Sequence, residues 1–424
     1  MISRELDMVD VDADLSGQVR RMGSLRRQRT RSGDIFSFAY SPEWLRGPSA
    51  FSFDPDLAMS QGPQYPAPGR ASFGIFMDSS PDRWGRVLMQ RRENLRARRE
   101  GRRPGALTEW DFLLGVHDKT RMGALRFAPP GGGPYIESSD DELAAPPLTS
   151  LRELQAASLD FERHADDEDH PDYGRWLRQL FAPGTSLGGA RPKACVRDEE
   201  GSLCLAKFPS RQDTRDTGAW ELVAHRLAAK AGINVPVARG LRVAESAGTT
   251  FVAKRFDRTP EGGRIAFVSA MTLTQRMDGD GGASYLELVD LLQSRGTDTH
   301  RDCLELYRRV VFSILIHNTD DHLRNHGFFI DSGEGPRTGI SLSPAYDINP
   351  SLDGRGLSLA INEVENACDL SLALDARALY GVSAPEADTI IGRSRAAVAS
   401  WRDEARRLGI PKGEQDLMAG AFEA

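Results

Sequence analysis

The pattern of apolar and polar positions changes character along the chain. Residues 33–76 read as short β segments separated by turns. Ile35–Tyr40 alternates crudely, and the Pro-, Gly- and Ser-rich stretch from Gly47 to Gly69 reads as loop. Ser80-Pro81-Asp82 marks a helix start, with a capping serine, proline at the first helical position and an early acid. Trp84, Val87 and Leu88 give that helix its apolar stripe. A second helix is predicted over Glu109–Val116 and a strand over Gly123–Phe127. Pro129–Pro147, rich in glycine, proline and acid, is the clearest boundary. Beyond it come a helix near Leu151–Glu162 and a second acidic loop at Asp166–Asp172.

From Ser186 the pattern shifts. A Gly-rich turn leads into β segments at Lys193–Arg197 and Leu203–Phe208, then a helix over Gly218–Ala231. Its apolar positions Trp220, Val223, Ala224, Leu227, Ala228 and Ala231 recur at helical spacing, and Gly232 supplies the stop. Strands follow at Val235–Val243 and Thr250–Phe256. Beyond Met271 the chain reads as helical. Ser284 and Glu287 form a capping box over a helix to Gln293. Leu304–His317 becomes apolar on every side and should be buried. A β-rich half with one helix, followed by a helical half, is how a bilobal kinase reads. The predicted class is α+β, with a protein-kinase-like fold.

At 424 residues the chain is too long for one core, so two or three packed subdomains are expected. Hydrophobic residues at 40% and charged residues at 27% are ordinary for a soluble globular protein. No apolar run approaches the ~20 residues a membrane helix needs, and the acidic first residues lack the apolar stretch of a signal peptide. A cytoplasmic location with no membrane partner is the default expectation. No pair among Cys195, Cys204, Cys303 and Cys368 has CxxC spacing, so free thiols are expected instead of a zinc or redox site. A net charge of -7 argues against nucleic-acid binding by bulk electrostatics. Two arginine runs, Arg26–Arg31 and Arg91–Arg103, read more readily as solvated faces than as partner patches.

The densest chemistry lies in His317-Asn318-Thr319-Asp320-Asp321-His322-Leu323-Arg324-Asn325-His326, directly after the buried helix. So many polar groups cannot be buried without partners, which places them in a polar cleft on a rigid support. Phosphoryl transfer needs a base, oxygen ligands for Mg²⁺, a cation on the phosphates and backbone donors. Asp320 and Asn325 have the spacing that a kinase catalytic loop uses for base and metal ligand. Asp347, in Ala345-Tyr346-Asp347-Ile348-Asn349-Pro350, offers a harder metal ligand. Lys207 on its strand can reach the phosphates of ATP, and Glu221 early in the next helix can hold it. Gly188-Gly189 is no Walker loop, but its place before the β segments suits a phosphate-facing turn. His317, Asp320, Asp321, His322 and His326 also admit a di-metal hydrolase, which would leave Lys207 and the glycine turn without roles.

The chain resembles the HipA family of serine/threonine kinases, the toxins of HipBA-type toxin–antitoxin systems. The motifs that carry the resemblance span nearly the whole length. They are FAYSPEWL (38–45), FGIFMDSSPDRWGR (73–86), DFLLGVHDKTRMGALRF (111–127), SLGGARPK (186–193), LAKFP (205–209), ELVAHRLAAKAGINVP (221–236), KRFDR (254–258), NTDDHLRNHGF (318–328) and PAYDINPS (344–351). The resemblance implies a HipA-type N-terminal α/β subdomain over 1–148, a β-rich lobe with the Gly-rich loop over 149–268 and an all-helical lobe over 269–424. It makes Asp320 the catalytic aspartate, Asn325 and Asp347 the Mg²⁺ ligands, and Lys207 the ATP-binding lysine. It puts Ser186, Gly188, Gly189 and Lys193 in the ATP-binding loop, with Ser186 as the autophosphorylated serine. The adenine hinge falls at Ser269–Leu273, including Met271. Arg191-Pro192 stands where family members often carry Gln-Glu. Implied partners are a helix-turn-helix HipB-like antitoxin, which supplies DNA binding, and an aminoacyl-tRNA synthetase as substrate. A catalytically silent pseudokinase serving as antitoxin partner or DNA co-repressor is the alternative, and intact Asp320, Asn325, Asp347 and Lys207 count against it.

Overall fold

The computed structural model describes residues 6–31, 33–47, 51–139, 144–181, 189–243, 248–331 and 339–422. The chain divides into two compact units. One comprises residues 1–212 and 254–268, the other residues 213–253 and 269–424.

The first unit opens on an antiparallel sheet in the order β3-β2-β1-β4, formed by β1 (Met8–Leu15), β2 (Gln18–Thr30), β3 (Gly33–Tyr40) and β4 (Leu125–Ala128). Alternation explains β1. Val9, Val11 and Ala13 pack into the core, while Asp10, Asp12 and Asp14 share the other face with arginines. Arg21 reaches both Asp10 and Asp12 at 2.6 Å. The β1–β2 turn places Ser16 and Gly17 at positive φ, as a type I′ hairpin requires. At the bulge in this ladder a Cβ on Gly23 would meet the Ala39 carbonyl oxygen at 2.2 Å, so only glycine fits. In β3 the side chains of Phe36, Phe38 and Tyr40 point inward. SPEWL becomes the short helix α1 (Pro42–Arg46), capped by Ser41.

Helix α2 (Gly74–Asp78) precedes α3 (Arg83–Arg99). The cap of α3 is Asp82, whose carboxylate accepts from Gly85 N–H at 2.8 Å. Ser80, expected to cap it, instead donates to the Phe76 carbonyl at 2.8 Å, because Pro81 holds the chain extended ahead of the helix. After α4 (Glu109–Gly115), helices α5 (Leu151–Arg163) and α6 (Tyr173–Phe181) pack on α3. Trp84, Leu88, Phe161, Tyr173, Trp176 and Leu180 make up most of that core. The two charge runs flagged in the sequence meet each other here. Arg91 and Arg98 of α3 lie 2.7 and 3.0 Å from Glu168 of the acidic loop, and Arg98 also reaches Asp169 at 2.6 Å.

The unit continues through Pro129–Pro147 to a hairpin of β5 (Lys193–Arg197) and β6 (Leu203–Lys207). Asp257, fully buried, lies between Arg255 at 2.6 Å and Arg258 at 2.5 Å and accepts from Gly123 N–H at 3.0 Å. Burial opposes ionisation of Asp257, but the two guanidiniums hold its carboxyl well below the ordinary value of 3.8. Because the folded value lies below the unfolded one, this contribution is complete above about pH 4 and is lost as pH falls. Asp257→Asn should therefore destabilise the unit by about 3–5 kcal/mol at neutral pH, since it leaves Arg255 buried without its counter-charge. Urea unfolding is expected to show that difference shrinking toward about pH 3, and a constant difference would contradict the assignment.

The second unit begins with α7 (Thr217–Ala231), ended by Gly232 at φ +89° as its sequence requires. A hairpin of β7 (Ala238–Leu241) and β8 (Thr250–Lys254) follows. Strand β9 (Phe267–Ser269) leads into the short helix α8 (Ala270–Leu273). Helix α9 (Tyr285–Arg295) carries the expected capping box of Ser284 and Glu287. Helix α10 (Thr299–Leu315) is buried along most of its length. The half expected to be all-helical also holds a hairpin, β10 (Gly327–Asp331) with β11 (Gly339–Leu342). Phe328, Ile330, Ile340 and Leu342 are buried in it, on strands too short for their alternation to stand out in the sequence.

The chain ends in helices α11 (Leu370–Ala376), α12 (Ala384–Val398), α13 (Trp401–Arg407) and α14 (Lys412–Leu417). Phe422 stacks on Trp401 at 4.6 Å, and Trp220 of α7 donates to Glu414 at 2.7 Å, so the last residues close over α7. The four cysteines are free. Among the described residues no helix is long and apolar enough to cross a membrane.

Candidate active site

Helix α10 ends where the apolar sequence gives way to polar. His317, just past it, takes φ +47°, turning the chain out of the helix, and Asn318 N–H returns to the Ser313 carbonyl at 2.9 Å. The loop that follows is closed by its own ends. Asn325 Nδ2 donates to the Asp320 carbonyl at 2.9 Å across the five-residue spacing. Asp320 is exposed, whereas Asn325 is 8% exposed.

The anchor beneath the loop is Asp321, a residue the sequence offered only as a ligand of the di-metal alternative. Its carboxylate accepts from Tyr285 Oη at 2.6 Å and from Ser313 Oγ at 3.3 Å. His326 Nε2 lies 3.0 Å from its other oxygen. Burial opposes the charge, but His326, the Tyr285 hydroxyl and His322 hold the Asp321 carboxyl below its ordinary value. Tyr285 belongs to α9 and Ser313 to α10, so two helices fix the loop from below. A tyrosine 36 positions away leaves no local signal in the sequence.

The Asp347 segment is cross-linked to this loop three times. Tyr346 Oη donates to the Arg324 carbonyl at 2.7 Å, Asn349 N–H to Asn318 Oδ1 at 3.2 Å, and Ser351 N–H to the His317 carbonyl at 3.1 Å. Asp347 takes φ +58°, uncommon for a non-glycine residue and of the kind found where a side chain is aimed for a purpose. Asn349 Nδ2 donates to Asp347 Oδ1 at 3.1 Å. Asp320, Asn325 and Asp347 are therefore brought together by one hydrogen-bonded scaffold.

The other sequence-derived candidates are placed as follows. Ser186 and Gly188 lie outside the described residues, and Gly189 is exposed. The ammonium of Lys193, expected on the nucleotide, is buried against Asp82 and the Gly189 carbonyl, each at 2.8 Å. Lys207 ends β6 in the first unit, and Glu221 is buried in α7 of the second. Ser269 caps α8, its hydroxyl accepting from Thr272 N–H at 3.2 Å, with Met271 half-buried behind it. Ala270 N–H donates to the His326 carbonyl at 2.9 Å, which ties this segment to the loop. His317 faces the Ala421 carbonyl at 3.3 Å. Among the described residues no three His, Cys, Asp or Glu side chains converge as a metal cluster, so the di-metal alternative finds no ligand set there.

A buried helix delivering an aspartate loop onto a cross-linked second aspartate segment belongs to the kinase-fold class. Residues 185–401, just over half of the chain, match the family described as the HipA-like C-terminal domain. The chain belongs to the HipA-like family. Its fold is similar to that of HipA from Shewanella oneidensis, solved in complex with HipB and its operator DNA. That match has a TM-score of 0.64 at 15% identity and covers 98% of this chain and 95% of that one. A second solved structure, the proinflammatory kinase CtkA of Helicobacter pylori, matches with a TM-score of 0.38 at 15% identity over 56% of this chain and 90% of that one. Among curated proteins, "Putative kinase Y4dM" of Sinorhizobium fredii is 35% identical over 106 residues, a quarter of either chain.

Proposed function

We propose that this protein is an ATP- and Mg²⁺-dependent serine/threonine kinase and the toxin of a toxin–antitoxin pair. The observation that carries the reading is the Asp320–Asn325 loop, closed at 2.9 Å and rooted in buried Asp321. Asp320, exposed at the tip, is the base that orients the substrate hydroxyl and takes its proton as the new P–O bond forms and ADP leaves. Asn325 has its amide nitrogen committed to the Asp320 carbonyl, which leaves its Oδ1 as the ligand atom. Together with the Asp347 carboxylate this is a hard, all-oxygen set that suits Mg²⁺ better than softer metals. Bound Mg²⁺ would neutralise charge on the phosphates. Lys207 is assigned to those phosphates and Glu221 to Lys207. Gly188 and Gly189 are assigned to the phosphate-facing turn, and Ser269 and Met271 to the adenine side.

Autophosphorylation is assigned to Ser186, where a phosphate would add charge and acceptors to a loop built for ATP phosphates. The resemblance to HipA supports an aminoacyl-tRNA synthetase as substrate. The HipA complex from Shewanella oneidensis with HipB and operator DNA supports a HipB-like antitoxin, with DNA reached only through it. A cytoplasmic location accords with such partners.

Mass-spectrometric mapping after incubation with Mg²⁺ and ATP tests the assignment. Phosphate is expected on Ser186 of the wild type and absent from Asp347→Ala, which should also relieve growth arrest in cells. An Asp347→Ala protein that still labels itself and still arrests growth would refute the metal role.

A further inference from the structure

Lys193 is the one sequence-derived ATP ligand whose charged end has a described destination. Its side chain is 1% exposed, and that of Asp82 is 3% exposed. Nζ bridges two acceptors, Asp82 Oδ2 and the Gly189 carbonyl, each at 2.8 Å. The other Asp82 oxygen accepts from Gly85 N–H at 2.8 Å and so starts α3. Four residues after Asp82, Arg86 is fixed by both oxygens of Glu109 at 2.6 and 2.7 Å. A continuous polar chain therefore runs from a rigid helix terminus to the backbone directly after Ser186-Leu187-Gly188.

A surface lysine would gain little from such a pair, but here both charges have left water. Dry ion pairs bring little net stability, while losing one partner is costly. Such a pair is better suited to fixing a position than to adding stability. Gly189 also carries no side chain that could fix the backbone by packing, and a Cβ there would meet open space. The Lys193 ammonium is the described contact that sets where its carbonyl lies.

We propose that Lys193 and Asp82 form a positioning pair that tethers the Gly189 backbone, at the carboxyl end of the Gly-rich turn, to the start of α3, so that the HipA-type N-terminal region sets where this ATP-facing backbone lies. The proposal rests on the kinase reading of the loop. It makes Lys193 a positioning residue and not a phosphate ligand.

The decisive variant is Asp82→Asn with Lys193→Met in the full chain. Asparagine keeps the helix cap, and removing both charges together leaves neither one buried alone. The melting temperature should stay near that of the wild type. KM for ATP is expected to rise about tenfold with kcat within about threefold, as for loss of ground-state binding. Amide exchange at residues 189–191 should quicken in the apo protein. A double variant with wild-type KM and wild-type exchange overturns the proposal. Should the double variant fail to melt cooperatively, Asp82→Glu keeps the charges while moving the tether. It should then show the same change in exchange, and its absence overturns the proposal as well. If the wild type neither binds nor uses ATP, the kinase reading fails, and the exchange of residues 189–191 still decides the tether alone.

Discussion

Replacing Asp320 with alanine is expected to lower phosphoryl transfer by about 10²–10⁴-fold, the range for removal of a general base. Stability should change by no more than about 0.5 kcal/mol. The side chain is exposed, and the loop is closed through the Asp320 backbone carbonyl, which alanine retains. Activity and unfolding measured on the same preparation check both halves. A destabilised Asp320→Ala protein would mean that the carboxylate is structural.

The adjacent residue should behave in the opposite way. Asp321→Ala removes the shared acceptor of Tyr285 and Ser313 and the carboxylate that faces His326, all buried. A cost of about 3–5 kcal/mol is expected, because the groups left behind cannot reach water. Transfer should fall with it, since the loop loses the base on which Asp320 stands. The Asp321 carboxyl is held below its ordinary value, so its contribution is complete near neutral pH and is lost as pH falls through the acid range. The wild-type advantage over Asp321→Ala in urea should therefore narrow on acidification. An Asp321→Ala protein with normal stability would remove the loop's proposed foundation.

The contrast between these neighbours shows what a sequence can carry. The proposed triad could be named from the sequence because phosphoryl transfer restricts residue types and spacing: Asp320, Asn325 and Asp347 stand in an order that few other chemistries require. The helices at 217–231, 285–295 and 299–315 were legible from period, cap and stop residues. Asp321 was not, because its role depends on Tyr285 of another helix. The first strand was missed although Val9, Val11 and Ala13 alternate with Asp10, Asp12 and Asp14. Its acids carry no sequence sign of their partners Arg21 and Arg126, which the fold brings to them. Helix α6 hid behind the acidic loop, which itself answers the arginines of α3. In each case the missing information was a partner distant in sequence. Lys193 is the same lesson at the site, since its motif suggested phosphate while its place in the fold gives it Asp82.

The central claim is Mg²⁺-dependent phosphoryl transfer from ATP at Asp320. Its most direct test is transfer of the γ-phosphate from labelled ATP to the purified wild type, with Asp320→Ala and a chelated sample in parallel. The account predicts label in the wild type with Mg²⁺ and none in either control. Equal labelling in Asp320→Ala, or a wild type that neither binds ATP nor takes up label, would contradict it.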